Sequence, residues 1–332
     1  MSKRKKTTLL VLACLVAFAI IGGIVYNEHL KSSLPDITIF DIGTNYADSS
    51  ERVCLTGDMG YGNDAQRAVA AAMQEQGCTD IRFLGDIIYP SGITSADDPL
   101  FESNFLVPYQ SLLQSASRVA LVLGNHDYKG SVEPWYEVTK KHGLFFPSRY
   151  YVERSSDDIC IVSIDSTLYD KVYFLLDGHK ETLWLRKAKE TLGQDCKFAL
   201  MLSHHHFRSV GSHGDSSNPH MQYLLNSEVI GQFDLFISGH VHLLEDAGSE
   251  QDTHFLVSGA GGSNTGIRTE SDTSLYASNN LGFVMVDFTS ASNGNIAAHY
   301  AFYELTKPTK DNPDATVIGI TRSGTVNGVG LR

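Results

Sequence analysis

Apolar runs of four to six residues recur along the chain, and most are closed by glycine and then Asp, Asn or His. Runs this short, rich in β-branched and aromatic residues, read as strands. The first six are Arg52–Thr56, Ile81–Leu84, Val119–Leu123, Ile159–Ile164, Lys197–Leu202 and Asp234–Ile237. Phe255–Val257, Phe283–Phe288 and Ile296–Tyr303 read as later strands, expected to be antiparallel. Two segments carry a helical period between them. Ala65–Gln76 is alanine-rich, with Asp64 placed to cap its start and Gly77 to close it. Glu181–Leu192 sets Leu183, Trp184 and Leu192 on one face. The alternation predicts an α/β domain, and open sheets of that kind gather ligands at the carboxyl ends of their strands.

The N-terminus departs from this pattern. Leu9 to Tyr26 is eighteen residues without a charge, preceded by Lys3, Arg4, Lys5 and Lys6. Its length reaches the lower edge for a membrane span and exceeds a signal-peptide core. The basic cluster should stay in the cytoplasm and send the domain across. Ala17-Phe18-Ala19 also resembles a signal cleavage site, which would release a secreted or periplasmic domain. The expected organisation is a basic start, anchor and linker over 1–34, a domain over 35–305, and a C-terminal extension of unassigned role over 306–332.

Charge narrows the partners. Without the four N-terminal cations the chain has 22 basic against 38 acidic residues. Such a surface repels polyanions, so nucleic acid is not an expected partner. Cys54, Cys78, Cys160 and Cys196 permit two disulfides, but each sits in or beside a strand and is read as a small buried hydrophobe.

The candidate chemistry lies at the strand ends. In order along the chain these are Asp58-x-Gly60, Gly85-Asp86-x-x-Tyr89, Gly124-Asn125-His126-Asp127, His204 and Gly239-His240-x-His242. One such motif is weak evidence, because a lone His after a strand is more often structural. Five in register hold enough ligands for two metal ions. Asp41-Ile42-Gly43 mimics the first motif but has no helix after it, and is read as a strand and turn. Asp165, which ends the fourth run, could also be a ligand by position, and only the family resemblance given next puts it in a supporting role. His29, His142, His179, His220, His254 and His299 have no partners in sequence and are read as structural or solvated.

This set resembles the purple acid phosphatases of the calcineurin-like metallophosphoesterases, especially the compact tartrate-resistant type. The resemblance runs from about Arg52 to Tyr303 and extends to Leu183-Trp184-Leu185 and Ser258-Gly259-Ala260-Gly261. It implies a four-layer α/β/β/α sandwich of two mixed sheets, with a dinuclear metal site at the C-terminal strand ends. It also implies an acid phosphatase that hydrolyses monoesters by metal-bound hydroxide at an Fe(III)–M(II) centre, M being Fe, Zn or Mn. Most calcineurin-like enzymes open with Asp-x-His, whereas position 60 is Gly here and Tyr89 supplies the replacement. By the resemblance Asp58, Asp86, Tyr89 and His242 hold Fe(III), while Asp86, Asn125, His204 and His240 hold the divalent ion. His213, nine residues after His204 and followed by Gly, then joins His126 in acting on phosphate, with Asp127 orienting His126. His205 and His206 become outer or loop residues. The same metals would serve a phosphodiesterase or nucleotide pyrophosphatase, whose substrate choice would lie in loops Pro90–Phe101, Phe207–Met221 and Gly262–Leu281. A catalytically idle binding domain would show eroded ligands, and none are eroded here.

Overall fold

The computed structural model describes residues 3–170, 173, 177–216, 218–269, 271–290, 294–307 and 316–332, with the side chains of residues 3–11, 13–15, 18 and 19 outside that set. The strands are β1 (Ile39–Asp41), β2 (Val53–Thr56), β3 (Asp80–Leu84), β4 (Arg118–Val122), β5 (Tyr151–Arg154), β6 (Ile159–Ser163) and β7 (Phe198–Ser203). They continue as β8 (Leu235–Ser238), β9 (Leu244–Glu250), β10 (Thr253–Ser258), β11 (Tyr276–Ser278), β12 (Leu281–Ser290), β13 (Ile296–Leu305) and β14 (Val317–Asn327). They form an eight-stranded sheet ordered β1-β5-β6-β7-β8-β10-β9-β11 and a six-stranded sheet ordered β14-β13-β12-β2-β3-β4.

The two sheets pack face to face. Leu55, Leu84 and Val122 of one meet Ile161, Leu200, Leu202 and Ile237 of the other in a shared core. On the outer faces, helices Asp64–Glu75 and Val107–Ser115 cover the six-stranded sheet. His179–Leu192 and Pro219–Leu224 cover the eight-stranded one. This is the expected four-layer sandwich. The central parallel strands β2, β3, β6, β7, β8 and β10, buried on both faces, are near-continuous apolar runs, as parallel strands covered on both sides require.

The parallel pairings split between the sheets: β2, β3 and β4 in one, and β6, β7, β8 and β10, with the edge pair β1 and β5, in the other. The expectation that Phe255–Val257 is antiparallel holds only towards β9, because β10 runs parallel to β8. The helix after β2 is capped by Asn63, whose side chain accepts the Gln66 N–H, and not by Asp64. Asp41 ends β1, and its carboxylate accepts the Gly43 N–H in a turn. The C-terminal segment supplies the edge strand β14 along β13.

All four domain cysteines are paired, Cys54 with Cys78 and Cys160 with Cys196, which corrects the reading of them as free buried thiols. Each bond ties a strand to the segment beside its neighbour, and in a strand core a half-cystine fills the same space as a small hydrophobe.

Residues Lys3–Ser33 form one helix, whose C-terminal end docks on the domain. There His179 bonds Asn27, Lys187 pairs with Asp36, and Leu30 and Leu34 join the core under helix 179–192. Among the described residues no helix is long and apolar enough to cross a membrane, so the expected span finds no support there.

Candidate metal centre

Each motif leaves a strand at the same edge of the sandwich. Asp58 follows β2, Asp86 and Tyr89 follow β3, Asn125 and His126 follow β4, His204 follows β7, and His240 and His242 follow β8. The turns are tight. Asp58, Asp86 and His240 adopt φ of 59°, 53° and 68°, three of only six described non-glycine residues in the left-handed region. Backbone strain of this kind persists where the surroundings over-determine it, commonly at functional sites.

Four side chains converge in one half of the site. The Tyr89 hydroxyl lies 2.7 Å from Asp86 Oδ2, 3.1 Å from Asp58 Oδ1 and 3.1 Å from His242 Nε2. Asp58 and Asp86 are 0% and 2% exposed. Burial, then the charges of Asp58 and Asp86, push the Tyr89 phenol far above its usual pKa. A cation among these oxygens would reverse that balance and favour the phenolate. Gly60 makes the arrangement possible. A Cβ there would sit 2.0 Å from the Ile87 carbonyl oxygen and 2.6 Å from Ile88 Cα. The backbone leading to Tyr89 therefore fills the space a side chain at position 60 would need, and Tyr89 N–H bonds the Gly60 carbonyl at 2.8 Å. Gly259 is held to glycine in the same way, 2.1 Å from the Val241 carbonyl oxygen and 2.8 Å from Asp58 Oδ2.

The other half is built on His204. Its Nδ1–H donates to the Leu84 carbonyl at 2.8 Å, which leaves the Nε2 lone pair facing inward. That atom lies 3.1 Å from Asn125 Oδ1, 3.2 Å from His240 Nδ1 and 3.5 Å from Asp86 Oδ1. Asp86 thus presents one oxygen to each half. The donor atoms of Asp58, Asp86 and His204 fall within 4.8 Å of one another, as do those of His204, His205 and His240. The residues fit two ions. Three oxygens and an imidazole suit a hard cation, and two imidazoles with an amide and a carboxylate suit a divalent one.

The remaining predicted residues separate. His126 lies at the rim, its Nδ1–H bonded to the Pro90 carbonyl at 2.7 Å. His213 stacks on His240 with ring centres 4.5 Å apart. Burial, then the nearby His242 charge, lowers its pKa. Asp127 does not orient His126. Its buried carboxylate accepts the backbone N–H groups of Ile87, Ile88 and Gly124 and so joins the second motif to the third. Burial, then the charge of Asp86, raises its pKa to about 7. Asp165 bonds the Tyr128 hydroxyl and the Thr167 N–H. His206 binds the Gly214 carbonyl at 2.7 Å and steadies the loop that carries His213. His205 comes closer than expected, 4.3 Å from the His240 ring, with its Nδ1 2.8 Å from Ser166 Oγ.

Sequence reasoning missed three neighbours. Tyr61 stacks on Tyr89 with ring centres 4.1 Å apart, Ser166 holds His205, and Lys129 touches His126. Only Lys129, three residues after His126 in a polar turn, carried a signal legible from spacing alone.

Residues 51–244 match the family described as calcineurin-like phosphoesterase. The chain belongs to that family and is a metal-dependent phosphoesterase. Purple acid phosphatase 17 of Arabidopsis thaliana is 29% identical over 245 residues, 65% of this chain and 69% of that one. Purple acid phosphatase 7 of the same plant is 30% identical over 244 residues, 65% of this chain and 71% of that one, which puts the chain in the purple acid phosphatase branch. A solved structure described as "GAP50 the anchor in the inner membrane complex of Plasmodium" superposes with a TM-score of 0.64. It is 18% identical and covers 85% of this chain and 90% of that one, a likeness of fold alone.

Proposed function

We propose that the chain is an acid phosphatase acting on phosphate monoesters. In this reading Fe(III) is held by Asp58, Asp86, Tyr89 and His242, and a divalent Fe, Zn or Mn ion by Asp86, Asn125, His204 and His240. The observation that carries it is the Tyr89 hydroxyl, 2.7–3.1 Å from two buried carboxylates and an imidazole, beside a position that only glycine can occupy. When bound, such an ion pair supplies Lewis acidity and an activated water at acid pH.

The protein's own groups do the rest. Asp86 reaches both halves, and Asp127 locks the loops that carry Asp86 and Asn125. His126 Nε2 and the His213 ring face the phosphoryl oxygens. Among the described residues neither ring nitrogen of His213 has a hydrogen-bond partner, so His213 is assigned to protonate the leaving oxygen. The test is turnover of phenyl phosphate against its diester at pH 5. Monoester preference is expected, and His213→Ala should lower kcat by about 10²–10⁴ for poor leaving groups and less for good ones. Faster diester turnover would sink the monoesterase reading, and equal losses would sink the acid role.

The same reading places the domain outside the cytoplasm, tethered by helix 3–33 or released by cleavage. The two disulfides support an oxidising compartment. Leu12, Val16, Ile20, Ile21, Ile24 and Val25 are exposed along that helix, as an anchor requires. Recovery of the full-length chain in the soluble fraction after gentle lysis would count against the tether.

A further inference from the structure

A cavity of about 210 Å³ adjoins the divalent half of the centre, and the proposed chemistry does not use it. Asn125 and His205 form the wall it shares with the centre, and Asn125 Oδ1 is 3.1 Å from His204 Nε2. A phosphate held at that half therefore has this space beside its leaving group. The space amounts to about seven water volumes, enough for a small alcohol.

Its walls are polar and mostly fixed. On one side is the turn after β6. There Ser166 Oγ accepts the His205 N–H at 2.9 Å and lies 2.8 Å from His205 Nδ1, so it is committed. Thr167 is not. It is 4% exposed, and its hydroxyl has no hydrogen-bond partner among the described residues. An unpaired buried hydroxyl is costly, which favours an occupant able to bond it. On the other side is the loop before helix Pro219–Leu224. Asn218 ties that loop to the β6 turn through the Tyr169 carbonyl at 2.9 Å. Ser216 spends its backbone N–H on Phe207 and its carbonyl on Gln222, and its hydroxyl bonds no described residue. The buried Met221 supplies an apolar patch between the two sides.

The lining also excludes. Among the described residues it holds no Lys or Arg, and the Asp170 carboxylate lines it, so a second phosphate or a carboxylate meets no cation there. A plain alkyl or aryl group would leave the Thr167 and Ser216 hydroxyls unpaired.

We infer that this cavity receives the leaving group, and that the preferred substrates are phosphate monoesters of small uncharged polyols. The inference rests on the monoesterase reading and names its substrate class. In the reaction the water oxygen bonds to phosphorus and the bond from phosphorus to the ester oxygen breaks. The electron pair stays on the polyol oxygen, which takes the proton assigned to His213. An aliphatic alkoxide needs that proton more than a phenolate does. His205 of the cavity wall and His213 both pack on the His240 ring, with centres 4.3 and 4.5 Å away, so the acid and the cavity meet around one side chain.

The test is kcat/KM for glycerol 1-phosphate against propyl phosphate, which has the same carbon chain without the hydroxyls. It is run on the metal-loaded full chain as wild type, Thr167→Val, Thr167→Ser and Ser216→Ala. Both substrates are measured on one preparation, so any inactive fraction cancels in their ratio. The wild type should prefer glycerol 1-phosphate by about 10-fold or more, since a site built to bond a hydroxyl rejects the analogue lacking it. Thr167→Val should lower that preference by about 10-fold, the loss of one hydrogen bond, and Thr167→Ser should keep most of it. Ser216→Ala should lower it several-fold, and it carries the test if Thr167→Val does not fold. A wild type that turns over both esters without preference, or a preference unmoved by these two hydroxyl deletions, overturns this inference alone. A wild type that turns over neither overturns the monoesterase reading with it.

Discussion

Replacing Asp165 by Asn should remove much of the protein's loss of stability between acid and neutral pH. Asp165 follows β6 and is fully buried. Burial dominates its pKa, which rises to about 7 despite the Tyr128 hydroxyl bond, the nearby Arg149 charge and the Thr167 N–H. Its backbone N–H donates to Glu181 at 2.7 Å, and burial with the Asp165 charge raises Glu181 in the same direction. Unfolded, an aspartate titrates near about 3.9. Between these values the folded chain binds more protons than the unfolded one, so stability falls as pH rises. The contribution is fully present below about pH 4 and is lost by the time pH has passed about 7. Three pKa units at 1.36 kcal/mol each amount to roughly 4 kcal/mol. Asparagine keeps the size and an acceptor for the Tyr128 hydroxyl but never ionises. Urea unfolding of both proteins at pH 4.5, 6, 7.5 and 8.5, at one ionic strength, gives the difference directly. Pairing the two proteins cancels the titrating groups that Asp165 does not touch, and leaves in the difference the relief of Glu181 from the Asp165 charge. Asp165→Asn should be near neutral, within about 1 kcal/mol, in acid and relatively stabilising by several kcal/mol at pH 8.5. A difference that stays flat across this range, or one that grows against the variant, would show that Asp165 is ionised in the fold and refute the argument.

Three further outcomes follow from the same geometry. Tyr89→Phe should abolish a visible absorption band while iron content persists, because it removes one oxygen and leaves Asp58, Asp86 and His242; a colourless wild type loaded only with zinc or manganese would refute the Fe(III) assignment. Removing the Cys54–Cys78 bond, which closes a 24-residue separation, should cost about 3–4 kcal/mol of unfolding free energy by loop entropy, and an unchanged denaturation midpoint would count against the pairing. Gly60→Ala should displace the 87–88 backbone that its Cβ would strike and lose both colour and turnover, whereas wild-type behaviour would mean that Tyr89 does not depend on that close approach.

The fold was legible because its central strands, β2, β3, β6, β7, β8 and β10, are buried on both faces, so each appears as an apolar run with a sharp polar end. The ligand motifs were legible for the same reason: Gly57-Asp58, Gly85-Asp86, Gly124-Asn125 and Gly239-His240 each mark the end of a run. What stayed hidden depends on distances across the chain. Cys54 lies in β2 and Cys78 beyond the next helix, and nothing local distinguishes a half-cystine from a buried thiol. Asn63 and Asp64 are equally good caps by type, and only backbone geometry chooses Asn63. Asp127 sits beside His126 in sequence, yet its side chain turns inward to three backbone N–H groups, since successive side chains leaving a tight turn need not share a face. The run His204-His205-His206 shows the limit most clearly. Spacing cannot rank three adjacent histidines, but the end of β7 can. Ser203 is the last strand residue, so His204 is still fixed by the pleat and is 0% exposed, with Nδ1 tied to a carbonyl of the facing sheet. His205, one residue beyond, depends on Ser166 for its orientation, and His206 already belongs to the loop through Gly214. The side chain whose direction the sheet itself dictates is therefore the one best placed to hold an ion, and those that follow are left to shape the cleft around it.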